Sequence, residues 1–409
     1  MAEGDPVRIG VLGAGTVGGA FLDLVRDRAD AVGAATGRRP EVAGVLRRSE
    51  GDFEQILAGS DVVVELMGGT DPAREYVLRA LREGRHVVSA NKQLVAQHGD
   101  ELFDAARDAG VQLRFEAAVA GVIPVIRVIQ ESLAATEVTK VFGIVNGTTN
   151  FILTEMAKTG AAYSDALARA QELGYAEADP SDDVGGADAA AKMAILARLA
   201  FHTPVRLDDV SFEGIENVQP DDLAYAKEFG LSLKLLGVAE RHDEGISVRV
   251  FPCFLYRGHP LAPIEGPFNA VMVEAPSITE ITMSGPGAGG VETASAVLGD
   301  VTSIIAGEAP VHAVRDTLPV VGDVESAFYL HLEVADQPGV LAAIASVLGD
   351  KEVSVKSVVQ WGLGDDARLV MVMHRAAESR FSGALEGLAK LDFLRAPPRA
   401  IRVIEEEFV

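Results

Sequence analysis

The chain has 409 residues, 48% of them hydrophobic and 23% charged, the balance of an ordinary globular protein long enough for two or three domains. Sixty acidic against 36 basic residues give a formal net charge of -24, which repels phosphate backbones and anionic lipid, so neither nucleic acid nor a membrane is an expected partner. A single cysteine, Cys253, leaves no intrachain disulfide and no cysteine zinc cluster to form.

The opening residues, MAEGDP, carry no charged-then-apolar leader. The longest uncharged apolar run, Ala117–Ile126, is far below membrane-spanning length, so a cytoplasmic protein is expected. VRIGVL reads as a buried strand closed by GAGTVG, with a helical pattern from Val17 to about Val25. EVAGVL and DVVVELMGG (61–69) read as further strands, Pro72–Gly84 as a helix, and RHVVSANK as a strand that breaks at Ala90. Such alternation predicts right-handed βαβ units and a doubly wound parallel sheet of the Rossmann type. After Pro124 the pattern changes: a strand in KVFGIVNG, helices over Thr149–Lys158 and Tyr163–Leu173, an acidic loop, and an alanine-rich helix from about Ala187 to Phe201. GISVRVFPCFLY and AVMVEA read as strands of an α+β domain. Cys253 lies among the aromatics of the first, as a packing residue does, which disfavours a thiol-based aldehyde oxidation. MSGPGAGGVETASAVLGDVTSIIAG reads as a glycine loop opening a helix that returns to the first domain, and Pro310–Asp323 as a linker. The remainder gives βαββαβ, a ferredoxin-like unit. The expected domains are 1–130 (completed by about 285–320), 131–284 and 325–409.

Gly13, Gly15 and Gly18 form GxGxxG around Thr16 and Val17, directly after a strand and before a helix. Alone this is weak in a chain with 42 glycines; within a βαβ frame it predicts a pyrophosphate held at a helix N-terminus. Where an acid would take the ribose 2'-hydroxyl, the second strand ends in Arg47 and Arg48, which suit a 2'-phosphate and favour NADP(H) over NAD(H).

AQELGYAEADPSDDVGGADAAAKMA packs Glu177, Asp179, Asp182, Asp183 and Asp188 ahead of Lys192. Asp188 and Lys192 are i and i+4 on one predicted helix and share a face. On composition alone a solvated acidic loop followed by an ordinary surface ion pair is the favoured reading. A lysine among carboxylates in a cleft can also exchange a proton during carbonyl–alcohol interconversion, while the carboxylates take a substrate ammonium.

From Ala170 to Lys192 the segment resembles the signature of homoserine dehydrogenases: alanine, GYA, DP, DVGGAD and a final lysine, met without a gap. The resemblance covers roughly residues 7 to 320. It implies reversible reduction of L-aspartate 4-semialdehyde to L-homoserine with NADP(H), on the route to threonine, methionine and isoleucine. It makes Lys192 the acid/base and Lys92, in SANK beside Ser89, a second lysine near nicotinamide and substrate. Either lysine suits the role of proton donor, and the adjacent Asp188 favours Lys192. Glu177 and Asp188 then correspond to substrate-binding residues, with Tyr175, Asp183 and Thr148 (in GIVNGTTN) close by. Gly174, Glu177, Ser89 and Gly289, the last in GPGAGG, correspond to cofactor contacts. EAAVAGVIP resembles the family's loop for a monovalent cation such as sodium, held by Glu116, Val119, Gly121 and Ile123 largely through backbone oxygens.

VADQPGVLAAIASVL resembles the ACT domain at Asp336, Pro338, Gly339 and Val340. Such modules pair across subunits and bind an amino acid, so a homodimer or homotetramer with threonine as effector is implied; a purely structural dimerisation module remains the other reading. His331 stands where relatives often carry arginine. A redox-sensing regulator would explain the glycine loop and the tail, but not two lysines set among carboxylates. A related dehydrogenase acting on another amino-acid aldehyde is the second enzymatic reading. A fused aspartate kinase is not expected, because the nucleotide loop begins at residue 13.

Overall fold

The computed structural model describes residues 5–308, 317–362, 364 and 367–404. Its first part runs β1 (Val7–Leu12), α1 (Thr16–Thr36), β2 (Pro40–Leu46), α2 (Phe53–Gly59), β3 (Val62–Glu65), α3 (Ala73–Arg82), β4 (His86–Ser89), α4 (Lys92–Ala109) and β5 (Leu113–Arg114). These strands form one parallel sheet in the order β2-β1-β3-β4-β5. β3 is buried at every position, as a strand covered on both faces by helices must be. The chain reverses strand order between β1 and β3, so the GAGTVG loop after β1 lies at the switch point where such sheets bind ligands.

The middle of the chain contributes α5 (Val125–Arg127), β6 (Lys140–Ile144), α6 (Gly147–Thr159), α7 (Tyr163–Glu172), α8 (Ser181–Val184), α9 (Ala187–Phe201), β7 (Ser211–Phe212), α10 (Pro220–Glu228), β8 (Leu231–His242), β9 (Gly245–Tyr256), β10 (Phe268–Ala275), β11 (Thr279–Pro286) and α11 (Gly290–Ala306). α9 is buried almost all round, so it reads as apolar on every face; it packs on β6, β8 and β9 on one side and α4 on the other. α11 packs on α1 and so returns the chain to the nucleotide sheet.

The last part is β12 (Glu325–Glu333), α12 (Val340–Asp350), β13 (Val355–Trp361), β14 (Arg368–Met373), β15 (Ala376–Ala377), α13 (Glu378–Leu388) and β16 (Arg399–Ile404). Its sheet does not stand apart. Arg402, Val403 and Ile404 of β16 pair in parallel with Cys253, Phe254 and Leu255 of β9, so among the described residues one sheet of 11 strands runs through both units. No helix among the described residues is long and apolar enough to cross a membrane.

Several elements differ from the sequence expectation. α1 continues to Thr36 because its exposed second half, rich in alanine, is carried by helix propensity until Gly37 ends it in the left-handed region at φ 81°. The acidic loop contains the short α8, and MSGP completes strand β11 instead of belonging to the loop. Of the expected linker Pro310–Asp323, residues 310–316 lie outside the described residues. The part that follows is docked, with Leu318 N donating to Thr203 Oγ1 at 2.9 Å and Val320 bridging to Ile246.

Candidate active site

The turn Val184–Gly186 and the start of α9 place Asp188 one turn before Lys192, and α9 carries both into the contact between the parallel sheet and the mixed sheet. Asp188 is 3% exposed. Its Oδ2 accepts from Lys192 Nζ at 2.7 Å and from Asn146 Nδ2 at 2.9 Å, while Oδ1 is ion-paired to Lys92. Lys92 is the first residue of α4, a helix capped by Asn91, whose Oδ1 accepts from Leu94 N at 3.1 Å. One carboxylate thus joins an ammonium from the nucleotide-binding half to an ammonium from the other half.

The two lysines differ in setting. Lys192 is 13% exposed and also donates to the Val145 carbonyl at 2.7 Å; Lys92 is 36% exposed, with Asp188 as its ion-pair partner. Burial opposes the Asp188 charge, yet the flanking ammonium groups of Lys192 and Lys92 hold its carboxyl far below the usual range. Burial likewise works against the Lys92 ammonium, but Asp188 outweighs it and raises its pKa above the ordinary lysine value. Asp183 moves the other way: burial first, then the neighbouring Asp188 charge, push it up. Such an arrangement can hold a developing oxyanion between two cations and hand it a proton.

Around this cluster, Asn146 donates to Asp183 Oδ1 at 2.7 Å, and Thr148 Oγ1 lies 2.7 Å from the Tyr175 carbonyl and 3.1 Å from Asp183 Oδ2. The Tyr175 ring, 43% exposed, rests on Phe151 with centroids 4.8 Å apart. Glu177 is exposed, and among the described residues only its carbonyl is engaged, accepting from Gln171 Nε2 at 3.0 Å. The structure therefore brings Lys92, Lys192, Asp188, Asp183 and Thr148 together and leaves the Glu177 carboxylate outside that network. Gly174 follows α7 with φ 77°. Asn146 was not singled out from sequence; its signal was an N-cap, asparagine ahead of Gly-Thr-Thr, and its Oδ1 does accept from Thr149 N at 2.8 Å. Glu65 was missed as well. It is buried at the end of β3, accepts from Ser89 Oγ at 2.6 Å and Met67 N at 2.7 Å, and burial raises its pKa.

The glycine loop fits a dinucleotide. Gly13 has φ 101°, and a Cβ there would lie 2.6 Å from the Leu66 carbonyl; a Cβ on Gly18 would lie 2.1 Å from the Gly13 carbonyl. Gly15 faces open space at the N-terminus of the 21-residue α1, and no side chain caps that helix, so its first N–H groups are available to a phosphate. Thr16 is exposed and Val17 half-buried. Gly289 caps the 17-residue α11, and the Cβ position of Gly290 is 3.1 Å from Thr16 Cγ2, so the second glycine loop lies against the first. Gly13 N donates to the Leu46 carbonyl at 2.9 Å, which sets the end of β2 beside the loop. Arg47 and Arg48 follow, both exposed, Arg47 with a loose 3.6 Å contact to Glu50.

Glu116 is buried, and its carboxylate accepts from Ile126 N at 2.8 Å and Arg127 N at 2.9 Å. Burial and the neighbouring Asp300 push its pKa up to about 7. The Glu116 and Ile123 carbonyls each accept one backbone hydrogen bond, and the Val119 and Gly121 carbonyls accept none among the described residues. No group of three or more His, Cys, Asp or Glu side chains able to hold a metal occurs among the described residues, so a cation here would rest on carbonyl oxygens, the donors a hard monovalent ion takes.

Comparisons with known proteins converge. The family model described as homoserine dehydrogenase matches residues 124–302, that of the homoserine dehydrogenase NAD-binding domain matches 13–116, and the ACT domain matches 329–393. The homoserine dehydrogenase of Mycobacterium tuberculosis is 44% identical over 430 residues, covering 97% of this chain and 98% of that protein. The crystal structure of a homoserine dehydrogenase from Thiobacillus denitrificans superposes with TM-score 0.92 at 37% identity, over 98% of this chain and 99% of that one. A hyperthermophilic archaeal homoserine dehydrogenase in complex with NADPH superposes with TM-score 0.62 at 27% identity, over 73% of this chain and 97% of that one.

Proposed function

The chain belongs to the homoserine dehydrogenase family, and on that premise we propose that the Lys92–Asp188–Lys192 cluster is its reaction centre. As a member it interconverts L-aspartate 4-semialdehyde and L-homoserine in amino-acid biosynthesis, using a nicotinamide cofactor. The observation that carries the assignment is one buried carboxylate, that of Asp188, bonded to a lysine from each half of the molecule.

When bound, the reduced nicotinamide supplies a hydride to the aldehyde carbon. Lys192 supplies the proton from Nζ to the oxygen that becomes the alcohol, and takes it back in the reverse direction. Asp188 fixes the Lys192 head from one side and the Val145 carbonyl from the other. Lys92 places a second positive charge on the same oxygen. Asp183, with Thr148 and Tyr175 around it, and Glu177 at the mouth take the substrate ammonium. Gly13, Gly15, Thr16, Val17 and Gly18 cradle the pyrophosphate, and Ser89, Gly174 and Gly289 complete the cofactor contacts. Arg47 and Arg48, exposed beside the loop, favour NADP(H) over NAD(H). A monovalent cation such as sodium rests on Glu116, Val119, Gly121 and Ile123. Threonine acts as effector through the C-terminal module, where Asp336 accepts from Gly364 N at 3.2 Å and Gly339 caps α12. The enzyme works in the cytoplasm as a homodimer or homotetramer.

One assay tests this reading: NADPH and NADH consumption with aspartate semialdehyde, with and without threonine and with sodium or potassium as the salt. Preferential NADPH oxidation, slowed by threonine, is expected. Absence of semialdehyde-dependent oxidation of either cofactor overturns the reaction centre; equal use of both overturns the 2'-phosphate reading alone.

A further inference from the structure

Glu65 ends β3, a strand that is otherwise three valines, and it is fully buried. Oε2 accepts from Ser89 Oγ at 2.6 Å and Oε1 from Met67 N at 2.7 Å. Hydrogen bonds from Ser89, Met67, Gly68 and Asn91 work against the burial that raises its pKa, and no cation is among them. A carboxylate buried without a cation costs stability. A perturbed group of this kind at the edge of a cleft is a candidate for a functional role.

Its partners belong to two loops. Glu65 and Ser89 stand opposite each other where β3 pairs with β4, so the loops leaving these neighbouring strands start side by side at the carboxyl end of the sheet, where such folds bind ligands. The loop after β3 forms the wall of the dinucleotide turn, since the Leu66 carbonyl lies 2.6 Å from the Cβ position of Gly13. The loop after β4 leads to Lys92. Ser89 Oγ gives its proton to Glu65 and accepts from Asn91 N at 3.1 Å. Asn91 in turn donates from Nδ2 to the Gly69 carbonyl, while its Oδ1 caps α4 by accepting from Leu94 N at 3.1 Å. Lys92 is the next residue, and its Nζ is ion-paired to Asp188 across the two halves of the molecule. The cap that sets the Lys92 backbone is thus tied to Glu65 through Ser89 on one side and through the Met67–Gly69 loop on the other.

We propose that Glu65 is a positioning residue, whose two carboxyl oxygens hold the loops after β3 and β4 so that Lys92 meets Asp188. The role rests on the reading of Lys92, Asp188 and Lys192 as the reaction centre, and Glu65 acts there only through Ser89 and Asn91. A carboxylate suits it because both oxygens accept, whereas an amide accepts on one atom alone. In Glu65→Gln the oxygen goes to Met67 N, which can only donate, and the NH2 group is turned to Ser89 Oγ. The hydroxyl proton then loses its acceptor, and the turn from Ser89 to Asn91 loosens.

The test follows Lys92 in the free, full-length protein, without cofactor or substrate. Acetylation of Lys92 by trace acetic anhydride is measured against pH by peptide mass for wild type, Glu65→Gln and Ser89→Ala, with melting temperature, kcat and KM for NADPH in parallel. Lys92 is partly exposed and so open to the reagent. Its ammonium faces Asp188 directly and Asp183 and Asp182 beyond it, and it loses part of that support when it moves. Half-titration of Lys92 at least about 0.5 pH unit lower in both variants is expected, with kcat at least about tenfold lower. Glu65→Gln should nevertheless melt no lower than wild type at neutral pH, because the neutral amide removes a buried charge that has no cation. A Lys92 titration unmoved in either variant overturns the positioning role, whatever the rates do. A moved titration with kcat unchanged upholds the role and overturns instead the place of Lys92 in the reaction centre.

Discussion

Replacing Asp188 by Asn probes the charge that organises the cluster while keeping its shape. Oδ2 receives two donors, Lys192 Nζ at 2.7 Å and Asn146 Nδ2 at 2.9 Å, whereas Oδ1 faces Lys92. An amide has one acceptor atom, which settles where the two donors converge, so its NH2 group is turned against the Lys92 ammonium. Lys92 then keeps only the more distant Asp183 and Asp182, and the burial that Asp188 had outweighed lowers its pKa. Reduction of the semialdehyde uses the ammonium form, so the alkaline limb of the pH–rate profile moves to lower pH. Lys192 keeps its acceptor, so the cost comes from the displaced Lys92 ammonium, which no longer stabilises the developing oxyanion: about a hundredfold in kcat/KM, or about 2.7 kcal/mol of transition-state stabilisation. Stability follows with a definite sign: the folded Asp188 carboxyl lies below its unfolded value, so its contribution is present above the ordinary carboxylate range and fades only in strong acid. Asp188→Asn should therefore lower the melting temperature at neutral pH, with the gap to wild type narrowing on acidification. Initial rates of NADPH oxidation from about pH 6 to 10 and melting curves over the acid range measure both. A kcat/KM within about threefold of wild type with an unmoved alkaline limb would refute the reasoning.

Arg47→Ala with Arg48→Ala should raise KM for NADPH at least about tenfold while leaving that for NADH nearly unchanged, because only the former carries the 2'-phosphate; parallel changes in both contradict the assignment. Gly18→Ala places a Cβ 2.1 Å from the Gly13 carbonyl and must push loop and helix apart, so cofactor affinity measured by fluorescence titration should fall at least about tenfold, and an unchanged value rules out that close approach. Cys253 is fully buried and its thiol is pushed up to about 12 by burial. A disulfide reagent should consequently leave the native enzyme unlabelled and active near neutral pH and react only after unfolding, whereas native labelling with loss of activity would place that thiol at the surface.

Local chemistry made much of this molecule legible. The parallel sheet announced itself as VRIGVL, DVVVE and HVVS, short β-branched runs separated by helices, and α9 starts and ends where its alanines do. The Asp188–Lys192 bond follows from i,i+4 spacing alone. The link from Asp188 to Lys92 does not: 96 positions separate them in the sequence, and only the packing of α4 on α9 brings them together. α4 went unassigned after SANK, although Asn91 caps it and Gly110 ends it with φ 67°. β8 was unreadable for a different reason. LSLKLLGVA is buried through its middle on both faces, so no period of two survives, and its identity comes from the twelve-residue pairing with β9. The seam between β9 and β16 is equally non-local. Glu65 escaped notice because one carboxylate after three valines carries no pattern; only the sheet shows it receiving the Ser89 hydroxyl.

The central claim is that Lys192, held by Asp188 and Val145, moves the proton of the homoserine dehydrogenase reaction. Lys192→Ala measured for both kcat and NADPH dissociation tests it most directly, because Nζ contacts those two groups and lies outside the glycine loop. A fall in kcat of at least about a hundredfold with NADPH affinity unchanged within about twofold is the predicted result. Turnover equal to wild type, or a loss confined to cofactor affinity, would contradict it.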